Sequence, residues 1–140
     1  MSKMVRVSRN EMKHSSRGIF CYVDRKPTKM LKGGHGERNI KYLQKHNLPY
    51  SVNFSDNNGV RHGQIGCHIR SQERKPKGHV WFPEKWSDKI IAKAGEHVAN
   101  LKRNSKALDH TPMHGKYKKV HVVTYKSRGR ICGICPKFKQ

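Results

Sequence analysis

Histidine is the residue type in this sequence that is best suited to chemistry near neutral pH. The 140 residues include ten histidines, and an imidazole with an ordinary pKa of about 6.5 both takes and gives protons there. Cleavage of RNA without a metal ion needs two such groups, one to take the proton of the ribose 2′-OH and one to protonate the departing 5′-oxygen. A cation then offsets the negative charge that grows on the phosphorane oxygens.

Two of the histidines lie beside features that such a site would use. His35 stands in the run Gly33-Gly34-His35-Gly36, directly before a predicted helix, and free N–H groups at a helix start attract anions. His68 follows the returning strand of a predicted hairpin. Spacing alone does not decide whether His35 is a catalytic group or an incidental surface histidine. For His68, the position alone favours a packing or surface role over a catalytic one.

A third candidate region precedes the aromatic run at residues 81–83. The segment Lys77-Gly78-His79 offers two side chains, Lys77 and His79, either of which could supply the cation. The alternative for Lys77 is a solvated surface charge.

The cysteines raise the question of a metal site. Residues 132–135 have the C-x-x-C spacing of redox and zinc sites, but the sequence has no second C-x-x-C. A zinc ion would need two further ligands, from Cys67 with His68 or from Cys21. Reduced structural thiols are therefore favoured over a metal site.

Charge points to a polyanionic partner. Lysine and arginine total 31 against nine acidic residues, which gives a net charge of +22. Repulsion among so many positive charges destabilises a compact fold, and a bound nucleic acid would neutralise them. Binding is also favoured because counterions condensed on the nucleic acid are released. The composition fits a protein that only binds RNA or DNA as well as one that cuts it. The first 13 residues lack the apolar run of a secretory signal, and no stretch is long enough to span a bilayer.

Helical and strand patterns fall in separate stretches, which predicts an α+β fold. Residues 1–17 are predicted to be a basic N-terminal arm, and residues 18–140 a single domain. The predicted helices are residues 36–46 and a second one after the N-cap Ser87; the predicted strands are 19–23, 50–55, 60–65, 117–125 and 130–135; loops are predicted at 26–34, 70–79 and 102–115.

Several segments, taken in order, resemble the bacterial EndoU nuclease family. They are KGGHGERNIKYLQKHNLPY, NNGVRHGQIGCH, GHVWFPEKWSDKIIAKAGEHVANL and the C-terminal hairpin that ends in ICPKF. The stretch FP-x-x-W-S-D-x-x-I, which opens a helix, is the most specific of them. The resemblance covers about residues 30–137. It implies helices packed with antiparallel β-hairpins in an EndoU-like (ribonuclease A-like toxin nuclease) fold.

The resemblance also implies an activity and a set of roles. Such enzymes cleave RNA, often after uridine, to a 2′,3′-cyclic phosphate, with two histidines, usually a lysine, and no metal or cofactor. His35 matches the first catalytic histidine and His68 the second, with His68 as the base and His35 as the acid, or the reverse. The family's lysine corresponds to His79 here, with Lys77 two residues earlier, so either completes the predicted catalytic set.

Substrate contacts are expected from Gly34, Arg61, Arg70 and Cys135. The family's C-terminal Thr-x-Tyr-Pro, which positions the base and phosphate, reads Gly-Ile-Cys-Pro at residues 133–136 of this chain. The sequence therefore does not predict the family's uridine preference.

Many domains of this kind are toxin ends of larger secreted effectors. The resemblance implies an RNA substrate, with tRNA as one candidate, an acidic immunity protein, and action in the cytoplasm of a bacterial target cell. Two alternatives stay open. One is a metal-dependent histidine-cluster nuclease that draws on Asp109 and His110; the other is a non-catalytic basic nucleic-acid-binding module with a zinc site.

Overall fold

The computed structural model describes residues 4–73 and 78–140, in which helices and antiparallel sheets combine in an α+β fold. The α-helices of this part of the chain are α1 Arg9–Ser16, α2 Glu37–Lys45 and α3 Asp88–Ala99. Its strands are β1 Ile19–Val23, β2 Lys26–Lys32, β3 Tyr50–Ser55, β4 Arg61–Ile65, β5 His79–Trp81, β6 Met113–Tyr117, β7 Val120–Ser127 and β8 Arg130–Pro136.

The first half of the fold, called the histidine region (residues 19–81), contains two small sheets and α2. Strands β1 and β2 form a hairpin, and β3, β4 and β5 form a sheet in that order. The β3–β4 turn uses Gly59 with φ 84°, while the Asp56 carboxylate accepts hydrogen bonds from the amides of Asn58 and Val60. A compact apolar core lies between these elements, made of Phe20, Met30, Ile40, Leu43, Ile65 and Trp81.

The second half, called the C-terminal region (residues 88–140), packs α3 against the sheet β6–β7–β8. Helix α3 begins after Ser87, whose side chain accepts a hydrogen bond from the amide of Ile90. Its buried face packs on the sheet, where Gly95 leaves room for the side chain of Ile134. Strand β5 lies beside β8 and so brings the two regions into contact.

Three predicted irregular segments contain regular structure. Helix α1 lies in the expected basic arm, capped by Ser8, and buries Ser15 and Ser16. Strand β2 lies in the predicted loop 26–34, and β6 begins in the predicted loop 102–115. These segments are rich in lysine, arginine and small polar residues, so they lack the apolar periodicity that identifies a helix or strand. The domain division at residue 17 stays a prediction, although a loose arm does not fit α1.

The turns before β2 and after β6 explain why the sequence does not predict these two strands. The β1–β2 turn places Asp24 and Arg25 at positive φ, 50° and 67°, and the β6–β7 turn does the same with Lys118 and Lys119. Such turns favour asparagine and glycine, so these sequences give no turn signal.

The other predicted elements are confirmed: β1, α2, α3, the β3–β4 hairpin and the β7–β8 hairpin. The predicted strand 117–125 is wrong at its start, because the turn at Lys118 and Lys119 interrupts it and β7 begins at Val120. Strand β5, which was not predicted, begins at His79, the last residue of the predicted loop 70–79. No described helix is both long and apolar enough to cross a membrane.

Candidate active site

The glycine-rich segment before α2 is held by the end of α1. The amides of Gly34, His35 and Gly36 donate to the carbonyls of His14, Ser15 and Ser16, at 3.1, 2.6 and 3.0 Å. These N–H groups are therefore occupied rather than available to a phosphate, which differs from the expectation for a glycine-rich helix start.

The glycines themselves serve close packing. Gly33 and Gly34 have φ of 74° and 73°. A Cβ on Gly33 would meet the His14 carbonyl oxygen at 2.1 Å, and one on Gly34 would meet the Asn39 amide nitrogen at 2.6 Å. Gly34 is buried, and its carbonyl is engaged by His79. This placement argues against the predicted contact between Gly34 and the substrate.

Backbone contacts fix the orientation of His35. Its carbonyl accepts from the amide of Phe82 at 2.7 Å, and its ring Nδ1 lies 2.7 Å from the carbonyl oxygen of Val80. A carbonyl only accepts, so Nδ1 carries the proton and donates it. In the neutral ring, Nε2 is then an unprotonated nitrogen that can accept a proton.

His79, on β5, packs directly on His35. The two rings are stacked, with centroids 4.6 Å apart and planes 4° apart. Nε2 of His79 donates to the carbonyl of Gly34 at 2.7 Å, and its ring meets Trp81 edge-on at 4.8 Å. His79 therefore ties β5 to the glycine-rich segment that carries His35.

His68 lies just beyond β4, where Cys67 and Met30 join the two sheets of the histidine region. The Met30 amide donates to the Cys67 carbonyl at 3.0 Å, and the His68 ring lies 6.2 Å from that of His79. Nδ1 of His68 accepts from the Arg70 amide at 3.0 Å. Since Nδ1 is an acceptor, the neutral ring carries its proton on Nε2, the opposite arrangement to His35.

The three histidines line one cavity of about 590 Å³. Its walls include side chains from both regions of the fold. From the histidine region come Lys32, His35, His68, Arg70 and His79, and from the C-terminal region come Tyr125, Cys135, Lys137 and Phe138. Of the predicted site residues, the cavity thus brings together His35, His68, His79, Arg70 and Cys135.

Burial disfavours the protonated form of all three imidazoles. Loss of water lowers the pKa of His35 to about 4. The hydrogen bond to Val80 acts in the opposite direction, and the nearby His68 adds to the lowering. Burial, followed by the neighbouring His35, lowers the pKa of His79 well below its usual value. Burial and then the Arg70 charge lower the pKa of His68. A neutral His79 does not fit the predicted role of a cation.

Two further predicted residues are held away from the cavity or outside the described chain. Arg61 is buried, pairs with Glu37 at 2.8 Å and donates twice to the carbonyl of Phe82. It does not line the cavity, so this placement argues against substrate contact. Lys77 lies outside the described residues, and its predicted role stays a prediction.

The cysteines are free thiols in the part of the chain that the structure describes. Burial raises the pKa of Cys135 to about 11, so it lines the cavity as a neutral thiol. Among residues 4–73 and 78–140, no group of three or more histidine, cysteine, aspartate or glutamate side chains is arranged to hold a metal ion. The Asp109 carboxylate instead accepts from the Arg128 amide.

Sequence reasoning missed most of the other lining side chains, among them Glu73 and also Lys32, Tyr125, Lys137 and Phe138. Lys32 is the last residue of β2, a strand that the sequence does not predict. Tyr125, Lys137 and Phe138 come from β7 and from the residues after β8, and only the packing of the two regions brings them to the histidines. The sequence signal that could have pointed to them is the hairpin end ICPKF, which the family resemblance includes.

The fold and cavity define an α+β domain with a histidine-centred site whose lining includes basic and aromatic side chains as well as Glu73. A family model described as bacterial EndoU nuclease matches residues 13–137. The chain therefore belongs to the bacterial EndoU nuclease family. No curated protein and no solved structure matches the chain. As a nuclease domain it acts on nucleic acid, in keeping with its charge of +22.

Proposed function

We propose that this domain is a metal-independent endoribonuclease that cleaves RNA by attack of the 2′-OH and leaves a 2′,3′-cyclic phosphate. One observation carries the proposal. His35 and His68 line the same cavity with opposite tautomers, an unprotonated Nε2 on the first and a protonated Nε2 on the second. General acid–base cleavage needs a base with a free nitrogen, which Nε2 of His35 provides, and an acid, which His68 becomes when its ring is protonated on both nitrogens.

The hydrogen bond to Val80 supports His35 as the base, which leaves His68 as the acid, the reverse of the first order that the resemblance suggested. Nε2 of His35 takes the 2′-OH proton, the 2′-oxygen attacks phosphorus, and the bond from phosphorus to the 5′-oxygen breaks. His68 in its imidazolium form, in which a proton on Nδ1 replaces the hydrogen bond from the Arg70 amide, gives its Nε2 proton to that oxygen. The anionic phosphodiester raises the pKa of His68 on binding, which opposes the effect of burial and Arg70.

His79 acts in this proposal as a positioning residue in place of the family's lysine. It holds the Gly34 carbonyl and stacks on the His35 ring, so it fixes where the base points. The cations that offset phosphorane charge are then the other basic side chains of the cavity, Lys32, Arg70 and Lys137.

We extend the proposal to the biological setting that the family suggests. The domain would be the toxin end of a larger secreted effector and would cut RNA, with tRNA as one candidate, in the cytoplasm of a bacterial target cell. An acidic immunity protein would neutralise it. The charge of +22 supports such a partner, because carboxylates facing a basic cleft give fast, salt-sensitive association.

Incubation with total RNA in EDTA tests the activity. We expect cleavage to continue, with products that end in 2′,3′-cyclic phosphate when the cut ends are mapped, and a bell-shaped pH profile. Loss of cleavage in EDTA that a divalent ion restores would instead select the metal-dependent nuclease. Intact RNA after long incubation, together with stoichiometric zinc, would select the non-catalytic binding module.

A further inference from the structure

Three aromatic rings form a continuous patch at the edge of the histidine cavity. Phe54 stacks on His62 with centroids 4.5 Å apart and planes 6° apart, and Phe138 meets the same His62 ring edge-on at 5.1 Å. Phe54 is 57% exposed and Phe138 is 51% exposed. The two phenylalanine rings thus present their surfaces to solvent, while His62 lies between them.

The patch is held in place rather than loosely arranged. His62 is buried, and its Nε2 lies 3.1 Å from the carboxylate of Asp56, which also caps the β3–β4 turn. The segment before Phe138 is fixed because the Lys137 amide donates to the His121 carbonyl at 2.8 Å. Gln140 closes the same segment through its side chain, which bonds to the backbone of both His121 and Lys137. Ordering these rings on binding therefore loses little conformational entropy.

The patch is continuous with the proposed site. Phe138 lines the same cavity as His35, His68 and His79, and His62 connects it to Phe54. The aromatic side chains that lead from the cavity to Phe54 are thus the exposed Phe138 and the buried His62. Lys137, also on the cavity wall and exposed, adds positive charge beside it.

Exposed aromatic faces next to basic side chains suit single-stranded nucleic acid. Bases stack on such faces with little regard to their identity, because every base has a π-face. A duplex hides those faces within its own stack. The charge of +22 favours an RNA occupant over another apolar surface.

We propose that Phe138 and Phe54 form a base-stacking subsite for single-stranded RNA, which binds nucleotides next to the one at the cleavage site. This proposal rests on the proposed nuclease function, because the scissile phosphate among the histidines would set where the bound RNA strand lies. It adds a means of substrate binding that tolerates any base and selects unpaired RNA.

Binding to a non-cleavable RNA tests the subsite without any need for activity. We would measure the Kd of the full chain for a fluorescent 2′-O-methyl oligonucleotide by anisotropy, for the variants Phe54→Leu and Phe138→Leu. Leucine keeps an apolar side chain but removes the ring. Each leucine variant should bind about tenfold more weakly than the wild type. Phe138→Trp keeps an aromatic ring at this position and should bind as tightly as the wild type. The slope of log Kd against log salt should stay unchanged, because no phosphate contact is removed.

A matched control and a modified substrate sharpen the result. Tyr22→Leu removes another exposed aromatic ring, 47% exposed on β1 and outside the cavity, and should leave Kd unchanged. An abasic nucleotide at the stacking position should weaken wild-type binding and abolish the difference between wild type and Phe138→Leu. Thermal unfolding of each variant shows whether the fold is kept.

The outcomes separate this proposal from the nuclease itself. Phenylalanine variants that bind as tightly as wild type, or that weaken duplex and single-stranded RNA equally, would overturn the subsite even if the wild-type domain cuts RNA. Ring-dependent binding in a domain that leaves RNA intact would support the subsite and refute the catalytic proposal.

Discussion

The two regions of the molecule are held together by different forces. The C-terminal region is a helix on a sheet, and its core is a large apolar cluster that includes Ile91, Val98, Val122 and Ile134 and extends to Val60 and Val80 of the histidine region. The histidine region has a smaller core. Its candidate catalytic side chains are positioned mainly by hydrogen bonds to backbone carbonyls, such as those of Gly34 and Val80.

This difference separates stability from geometry. A packed core tolerates small adjustments in many side chains and keeps its shape. A ring that is aimed by one or two hydrogen bonds moves as soon as a partner is lost, and a misplacement of about 1 Å lowers the rate of an enzyme by roughly 10²-fold. Substitutions in the two regions should therefore affect folding and activity in different proportions.

The largest contrast should come from histidines of the two regions. We expect His35→Ala to lower the cleavage rate by about 10³-fold, because a general base contributes roughly 10²–10⁴-fold. His97→Ala, on exposed α3 surface beside Tyr117, is the matched control and should cut normally. Initial rates on a labelled RNA in EDTA measure both. Full activity in His35→Ala would remove His35 from the site.

A second, smaller effect should come from His79. We expect His79→Ala to lower kcat by roughly 10²-fold with little change in KM, since the ring orients His35 and does not bind phosphate. His79→Gln keeps a donor for the Gly34 carbonyl and should recover part of the loss. Steady-state kinetics separate the two constants. A rise in KM with unchanged kcat would instead mark His79 as a substrate-binding residue.

Asn39 and Ile134 compare polar with apolar support. Asn39 is buried, accepts from the Trp81 indole at 2.9 Å and donates to the Arg17 carbonyl at 2.7 Å. We expect Asn39→Ala and Ile134→Ala each to lower the free energy of unfolding by about 2–4 kcal/mol in urea. At a temperature where both variants are folded, Asn39→Ala should cut about tenfold more slowly and Ile134→Ala at nearly the wild-type rate. Equal losses of activity would contradict the distinction between the regions.

The smallest expected effect is a pH dependence of stability that originates in the histidine region. The pKa of His35 in the folded protein is about 4, below its ordinary value of 6.5, so the unfolded chain binds more protons between these values. Stability should therefore be full above about pH 6.5 and fall as the pH drops towards 4. The loss from His35 should be roughly 1–3 kcal/mol.

Urea unfolding at several pH values measures this dependence. His35→Gln removes one of the titrating groups and should reduce the fall, with the remainder due to His79 and His68, whereas His97→Gln should leave the fall as it is. A wild-type protein with constant stability from pH 7 to 4.5 would show that His35 is not kept neutral by burial.

The comparison also explains what the sequence could predict. Helix α3 has apolar residues at helical spacing and a serine N-cap, and the β7–β8 hairpin has a glycine turn, so both were predicted. Local signals of this kind depend only on neighbouring residues. They suffice for a region whose structure follows from apolar periodicity.

The site was only partly predictable for a physical reason. His35, His68 and His79 could be identified from their surroundings and from the family. The tautomers of His35 and His79, however, depend on partners distant in sequence, Val80 and Gly34. The sequence also gave no sign that Arg61 pairs with Glu37 inside the fold, or that Phe138 reaches the cavity. Tertiary contacts set all of these features, and one sequence does not encode them in any local pattern.

Helix α1 has a consequence for where this domain can be divided. Its last three carbonyls are the acceptors for the amides of Gly34, His35 and Gly36. A protease that trimmed the chain to residue 18 would leave most of both apolar cores intact and yet release the segment that carries His35. The eight residues of α1 thus support the site although they supply no catalytic side chain. A peptide of that sequence, added back to the trimmed domain, should restore the orientation of His35.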